Sequence, residues 1–281
     1  MNSLTVNGTS IRYDDQGPAD GTPVVLVHGH PFDRSMWAPQ TAALTAAGYR
    51  VIAADLRGYG ESAVVPGVTE FADFARDTAA VLDRVGVERA VVGGLSMGGQ
   101  IAMEFHRLFP QRVSALVLAD TSPVAETEEG KAVRNAMADR LLADGMGGYA
   151  DEVIAKMIAP YNVAALPEVA RHVLGMMRST APEGAAAALR GRAERPDHRQ
   201  SLAAATVPAL VVVGEDDTYT PVDEARAMAA LIPRSALDVI EGAAHMPNLE
   251  RPAAFNDVLL RFLSHPLGFV RQRSEEPRRG M

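Results

Sequence analysis

Gly94-Leu95-Ser96-Met97-Gly98 sets a serine in a G-x-S-x-G pattern. A serine hydroxyl is a poor nucleophile until it is held out toward a base. A sharp strand-to-helix turn does this by exposing the side chain at its tip. It also crowds the flanking backbone, where a Cβ on either glycine would collide. The flanks fit such a turn. Ala90-Val91-Val92-Gly93 is an apolar run before it, and Ile101, Phe105, Leu108 and Phe109 share one helical face after it. A helix beginning there offers unpaired N–H groups and its positive dipole end to an oxyanion. A chance pentapeptide in a glycine-rich chain would lack both flanks.

The partners such a serine needs lie far along the chain. Val207-Pro208-Ala209-Leu210-Val211-Val212-Val213 reads as a buried strand, and Gly214-Glu215-Asp216-Asp217 with Thr220-Pro221 follows it. After the strand-like run Ala236 to Ile240 comes Gly242-Ala243-Ala244-His245-Met246-Pro247. Upstream, Pro23-Val24-Val25-Leu26-Val27 ends in His28-Gly29-His30-Pro31-Phe32, where a glycine lets the backbone turn and aim an N–H at a neighbouring site. The order is nucleophile, acid, histidine, each in a loop just after a strand. In an open parallel sheet, ligands bind at the carboxyl ends of the strands, so these loops can converge.

The elements that must position them alternate. Strand-like runs lie near residues 10–14, 24–28, 50–55, 90–95, 113–119, 208–214 and 236–240, with helical patterns around 35–47, 71–85, 97–109, 222–232 and 252–263. Such alternation predicts an α/β fold, a mainly parallel sheet with helices on both faces. It breaks between Ser122-Pro123 and about Gln200. That stretch reads as an inserted helical cap interrupted by Gly130, Gly145, Pro160, Pro167 and Pro182. The expected organisation is therefore a core of residues 1–122 and 201–265, a cap of 123–200, and a polar tail of 266–281. Cap methionines Met137 and Met157 are candidates for an adaptable apolar pocket roof, with Met146, Met176 and Met177 as further members, although any one of them can equally pack the cap onto the core.

Together these pieces resemble the α/β-hydrolase fold family from about residue 10 to about residue 264. The carriers are His28-Gly29-His30-Pro31, Asp55-Leu56-Arg57-Gly58-Tyr59-Gly60-Glu61-Ser62, Gly94 to Gly98, Gly214 to Pro221, and Gly242-Ala243-Ala244-His245 with Asn248 to Pro252. Within that family the chain is most similar to the enol-lactonase, aryl-esterase and cofactor-free haloperoxidase (perhydrolase) group. The resemblance implies Ser96 as nucleophile, His245 as base and Asp217 as orienting acid, with the backbone N–H groups of His30 and Met97 as oxyanion donors. Asp216 is a neighbouring rival; the family spacing of glycine, two residues, acid and then proline favours Asp217. Asp120 is the other rival, because some family members keep their acid after that strand. The expected activity is hydrolysis of a small or medium carboxylic ester or lactone through an acyl-enzyme. Perhydrolysis is the alternative, suggested by Pro31, and a ligand-binding member of the fold is a further one. Phe32, Trp37 and Met246 are expected pocket walls, Trp37 also as an anchor for the following helix. His28 is expected to brace its loop, Arg57 to make a structural ion pair, and His265 to be solvated.

Composition narrows the rest. The chain has 281 residues, 47% of them apolar, enough for one large α/β domain with an insertion. Its net charge of −8, from 27 basic and 35 acidic residues, argues against nucleic acid as a partner. There is no cysteine, which excludes disulfides, a thiol nucleophile and thiolate metal sites. His106, His172 and His198 show no metal-ligand spacing, so no metal and no cofactor are expected. The start has no basic segment followed by an apolar run, and no run reaches the ~18 apolar residues of a membrane span. A cytoplasmic protein without membrane association is expected, its partner a small-molecule ester or lactone, with a homo-oligomer left open.

Overall fold

Unbroken runs of Val, Leu and Ala settle as strands when both faces find apolar cover. The computed structural model describes residues 2–266 together with Gly268 and Phe269, so most of the expected polar tail lies outside the described residues. Its strands are β1 (Asn2–Val6), β2 (Thr9–Gln16), β3 (Pro23–Val27), β4 (Arg50–Ala54), β5 (Ala90–Leu95), β6 (Val113–Ala119), β7 (Ala209–Gly214) and β8 (Ser235–Ile240). They form one eight-stranded sheet in the order β1-β2-β4-β3-β5-β6-β7-β8. Strands β3 to β8 are parallel, while β1 and β2 are antiparallel to their neighbours.

The two faces of the sheet divide the apolar residues between them. Val24, Leu26, Val91, Leu210 and Val212 belong to one buried cluster, and Val25, Val92, Val211 and Val213 to the other. Helices cover both: α1 (Ala38–Ala46), α2 (Phe71–Arg84) and α3 (Met97–Leu108) before the insertion, then α4 (Glu128–Asp144), α5 (Gly147–Met157), α6 (Pro160–Ala165), α7 (Pro167–Ser179) and α8 (Pro182–Ala193) within it, and α9 (Arg199–Ala203) leading back into the core through Leu202. After β7 come α10 (Val222–Leu231), α11 (Pro247–Glu250) and α12 (Pro252–Ser264). No helix among the described residues is long and apolar enough to cross a membrane.

Two local readings need correction. Strand β1 is absent from the expected list, yet Val6-Asn7-Gly8-Thr9 carries an Asn-Gly turn with φ of 50° and 76°, the two positive values a tight hairpin needs. Gly130 does not interrupt the insertion: it lies in the first turn of α4, its N–H donating to the Thr127 hydroxyl at 3.1 Å, whereas Pro160, Pro167 and Pro182 each fall at a helix boundary, at the first position of the helix that follows.

Helix α8 is docked closely on the core loops. A Cβ on Gly184 would lie 2.0 Å from the Gly58 carbonyl oxygen, and one on Gly191 would lie 1.7 Å from that of Thr69. The Thr180 hydroxyl, just before α8, donates to the Pro31 carbonyl at 3.0 Å. The insertion is therefore pinned to the loop after β3. Arg57 makes the structural ion pair expected of it, with Nε and Nη2 on the two carboxylate oxygens of Asp77 at 2.6 and 2.7 Å.

Candidate active site

Parallel register carries the loops to one edge. Leu95 pairs with Ala119, Ala119 with Val212, and Gly214 with Ile240. The residues just beyond these strand ends are Ser96, Asp120, the Glu215–Asp217 loop and the loop holding His245.

Ser96 sits at φ 56° and ψ −119°, a conformation an L-residue holds at a cost of about 1–3 kcal/mol. Its surroundings hold it there. The Ser96 N–H donates to the Ala119 carbonyl at 2.9 Å, and the Thr121 hydroxyl donates to the Ser96 carbonyl at 2.7 Å. A Cβ on Gly94 would lie 2.2 Å from the Gly98 backbone, and one on Gly98 would lie 2.1 Å from the Val27 carbonyl oxygen. Main chain cannot step aside as a flexible side chain can. Gly98→Ala is thus expected to destabilise the fold by several kcal/mol, at least ~3. Gly175→Ala is its opposite: Gly175 is exposed inside α7 with open space where the Cβ would go, so it should stabilise by roughly 0.4–1 kcal/mol. Denaturant titration of the two variants checks the pair.

His245 is positioned from both sides. Its Nδ1 lies 2.8 Å from Asp217 Oδ2, both side chains being buried. The Ala244 N–H, one residue before it, donates to Glu250 Oε1 at 2.7 Å, while Glu250 Oε2 accepts from the Ala159 N–H and Asn162 Nδ2. One buried carboxylate thus ties the histidine loop to α6. Asp217 also accepts from the Tyr219 N–H at 2.8 Å and the Thr220 hydroxyl at 2.6 Å. Burial pushes the Asp217 pKa up, but His245 and these donors outweigh it and leave the carboxyl below its usual value.

Asp120 behaves differently. Its Oδ1 accepts from the Gly214 N–H at 2.9 Å. Burial first, then the charge of Asp217, raises its pKa well above its ordinary value, which favours the protonated form of Asp120 beside Asp217. Asp120, Asp217 and His245 are close enough together to suggest a metal cluster. Asp217 spends both oxygens on three donors and Asp120 Oδ1 accepts from the Gly214 N–H, which suits a hydrogen-bonded histidine brace rather than a cation.

His28 and His30 follow β3 and do different things. His28 Nδ1–H donates to the Gly29 carbonyl and its Nε2 accepts from the Leu56 N–H, each at 2.9 Å, which fixes a neutral ring that braces the loop. His30 Nδ1 pairs with the Tyr59 hydroxyl at 2.8 Å, and its Nε2 is buried without a partner. Burial, then Arg192 and Arg134, keeps this ring neutral. Among the described residues the backbone N–H groups of His30 and Met97 have no acceptor, leaving two donors beside Ser96.

Ser96, His245 and His30 line one cavity of about 540 Å³ beneath the inserted helices. Met137 and Met157 line it too, with Tyr149, Val153 and Leu189 from the same insertion. Phe32, Trp37 and Met246 do not. All three are fully buried in the cluster shared with Leu44 and Phe255, because large apolar side chains at the ends of these loops gain more by packing under α1 and α12 than by facing an open cleft. Trp37 keeps its anchoring place, in a 3-10 turn directly before α1. Cavity residues absent from the sequence reading include Gln100, Tyr219 and Arg192. Gln100 is one helical turn after Ser96 and Tyr219 is two residues after Asp217, so both were within reach of the motifs; Arg192 has no local signal at all.

Comparison with known proteins shows the family and the fold. A family model for the alpha/beta hydrolase fold matches residues 22–252. 3-Oxoadipate enol-lactonase 1 of Acinetobacter baylyi is 27% identical over 256 residues, 91% of this chain and 94% of that protein. The structure superimposes on a thermophilic esterase from Thermogutta terrifontis with TM-score 0.89 and 39% identity, covering 93% of this chain and 96% of the other. The enol-lactonase from Burkholderia xenovorans LB400 gives TM-score 0.88 and 28% identity, covering 94% and 100%. A strained serine at a strand-to-helix turn, a buried Asp–His pair across the sheet edge, and a family match over most of the chain lead to one statement: the protein belongs to the α/β-hydrolase fold family, among relatives that include esterases and enol-lactonases.

Proposed function

We propose that this protein is a serine hydrolase that cleaves a small or medium carboxylic ester or lactone through an acyl-enzyme. The observation that carries the reading is Ser96, held at φ 56° in the cavity that also contains His245, whose Nδ1 is braced by Asp217 at 2.8 Å. His245 takes the Ser96 proton as the hydroxyl attacks the carbonyl, and Asp217 fixes the tautomer and stabilises the imidazolium. The unpaired N–H groups of His30 and Met97 receive the oxyanion, each donor worth about 3–4 kcal/mol in the transition state. Departure of the alcohol leaves an acyl-enzyme, which water then hydrolyses with His245 as base.

A fluorophosphonate probe should add one adduct, mapped to Ser96 by peptide mass spectrometry, and a panel of aryl esters and lactones should be turned over. An adduct elsewhere in active protein overturns the assignment. Tight ligand binding with no turnover of any ester would favour a receptor.

A second reading keeps the machinery and replaces water by hydrogen peroxide. Pro31 favours it: the ring removes an N–H and fixes φ beside the oxyanion donor, and the Pro31 carbonyl is itself held by Thr180. Peracid formation from a carboxylic acid and peroxide tests it directly.

The inserted helices select substrate in this reading and supply no chemistry. Met157→Trp should shift the preferred acyl or alcohol group to smaller sizes. kcat/KM for hexanoate-sized esters should fall about tenfold or more, while acetates lose much less, since they need little of the pocket. Equal losses at every size would mean that the insertion takes part in the chemical step.

A further inference from the structure

Helix α6 belongs to the insertion, yet no residue of it lines the cavity. Its side chains reach instead the two loops that carry the acid and the base. Asn162 is 2% exposed. Its Nδ2 donates to the Gly242 carbonyl at 2.9 Å and to Glu250 Oε2 at 2.7 Å, so it holds the chain on both sides of His245. Tyr161, its neighbour, donates its hydroxyl to Asp216 Oδ2, one residue before Asp217. The Ala159 N–H, just before the helix, donates to Glu250 Oε2 at 2.8 Å. Consecutive residues of one short helix thus grip the acid loop and the histidine loop together.

The histidine loop depends on such a hold. Gly242 stands at φ 67°, and its N–H makes only a long bond, 3.3 Å, to Glu215 Oε2. Nearer the ring, the Ala243 carbonyl accepts from the Asp216 N–H at 2.9 Å, and the Ala244 N–H donates to Glu250 Oε1 at 2.7 Å. This last bond is strongest while Glu250 is a carboxylate. Burial raises the Glu250 pKa, and the donors on it, Asn162 Nδ2 first and then the Ala159 and Ala244 N–H groups, oppose that rise. Asn162 therefore acts on the loop twice, directly at Gly242 and through Glu250 at Ala244.

We propose that Asn162, with Tyr161 as a second arm, is a positioning residue, and that α6 sets the geometry of the Asp217–His245 pair from outside the cavity. This rests on the serine-hydrolase reading above. Neither side chain touches substrate. Their effect passes through a base that must be in place as the proton moves, so it falls on kcat and not on KM. A displaced base loses rate at every acyl size alike, whereas a wall residue such as Met157 acts by size. The insertion then has two separate tasks: α4, α5 and α8 supply the wall, and α6 supplies the brace.

The test measures kcat and KM for phenyl acetate, butanoate and hexanoate in Asn162→Leu, Asn162→Ala and Tyr161→Phe. Each rate is counted per Ser96 that takes the fluorophosphonate adduct, so misfolded molecules drop out. Leucine keeps the volume of asparagine and removes its donors. Both Asn162 variants should lower kcat on the order of 10- to 100-fold at all three sizes, with KM within about twofold of wild type. The hydrogen-bonded Nδ1 proton of His245, followed by proton NMR, should shift or broaden in both. Tyr161→Phe removes only an exposed hydroxyl, should melt like wild type, and should lower kcat about threefold. Wild-type kcat in Asn162→Leu means that the side chain only fills space and overturns the inference. So does a loss confined to the larger esters, or one carried by KM. If neither Asn162 variant yields protein that takes the adduct, Tyr161→Phe decides: a threefold loss supports the brace and an unchanged kcat overturns it. In each of these cases ester hydrolysis by wild type leaves the hydrolase reading standing. No hydrolysis and no adduct in wild type overturns both.

Discussion

Ser96→Ala lowers kcat for an activated ester by about 10⁵- to 10⁶-fold, the size of effect expected when a nucleophile acting with its base as one unit is removed. Alanine keeps the Cβ, so the positive-φ strain at this position is unchanged and the variant should melt close to wild type. Ser96→Gly separates chemistry from strain. Glycine accepts φ 56° without penalty, so this variant should be just as inactive yet more stable by roughly 1–2 kcal/mol. A serine held in strain for the sake of its hydroxyl predicts that pairing of lost activity with gained stability. Activity above background in Ser96→Ala, with a nucleophile mapped to another residue, would remove Ser96 from its role. Steady-state kinetics and a thermal melt decide both parts.

The second large effect separates two neighbouring acids. Asp217→Asn should lower kcat by about 10⁴-fold, because an amide in place of the acceptor on His245 Nδ1 favours the wrong tautomer and leaves the imidazolium uncompensated. Asp120→Asn should cost less than about tenfold in the same assay. The surroundings of Asp120 favour its neutral form, and asparagine keeps the oxygen that accepts from the Gly214 N–H while its amide replaces the carboxyl proton. The pH dependence of stability gives an independent check. The fold holds the Asp120 proton well above the range in which an unfolded carboxyl loses it. Its contribution is complete below that range and is lost as pH rises toward the folded value, so Asp120→Asn should gain on wild type as the solution becomes more alkaline. Equal kinetic losses in the two variants would move the orienting role to the pair or to Asp120.

Some of this was legible one residue at a time. The glycines at 94 and 98 announce a turn with no room for side chains, and in the fold main chain lies within 2.2 Å of where each Cβ would go. Ser96 and Asp217 each follow a strand run buried on both faces, the pattern expected inside a parallel sheet, and His245 follows the half-buried edge strand β8. Arg57 was also readable, since its motif comes with a loop that must be held. Local sequence failed where two local meanings exist for one residue type. Gly130 can interrupt a helix or sit in its first turn, and the Thr127 hydroxyl that accepts its N–H decides for the second. The Asn7-Gly8 turn is a weak signal by itself, because the strand it closes, Asn2–Val6, is short and mostly exposed at the sheet edge.

The sequence by itself therefore determined the fold class, the strand-to-helix turn at Ser96 and the order of the three loops, because each depends on contacts among near neighbours. Only the tertiary structure decided which apolar side chains face the cavity. Phe32, Trp37 and Met246 turn into the core and Met137 and Met157 into the cleft, a choice set by the helices packed against each loop. Only the tertiary structure decided the charge of the site as well. The Asp120 pKa is raised by burial and then by Asp217, nearly a hundred positions away in the chain, and Arg134 and Arg195 converge on Glu126 while Arg192 donates to Gln100. Electrostatic pairing is a competition in space, and a sequence states the competitors without the distances that settle it.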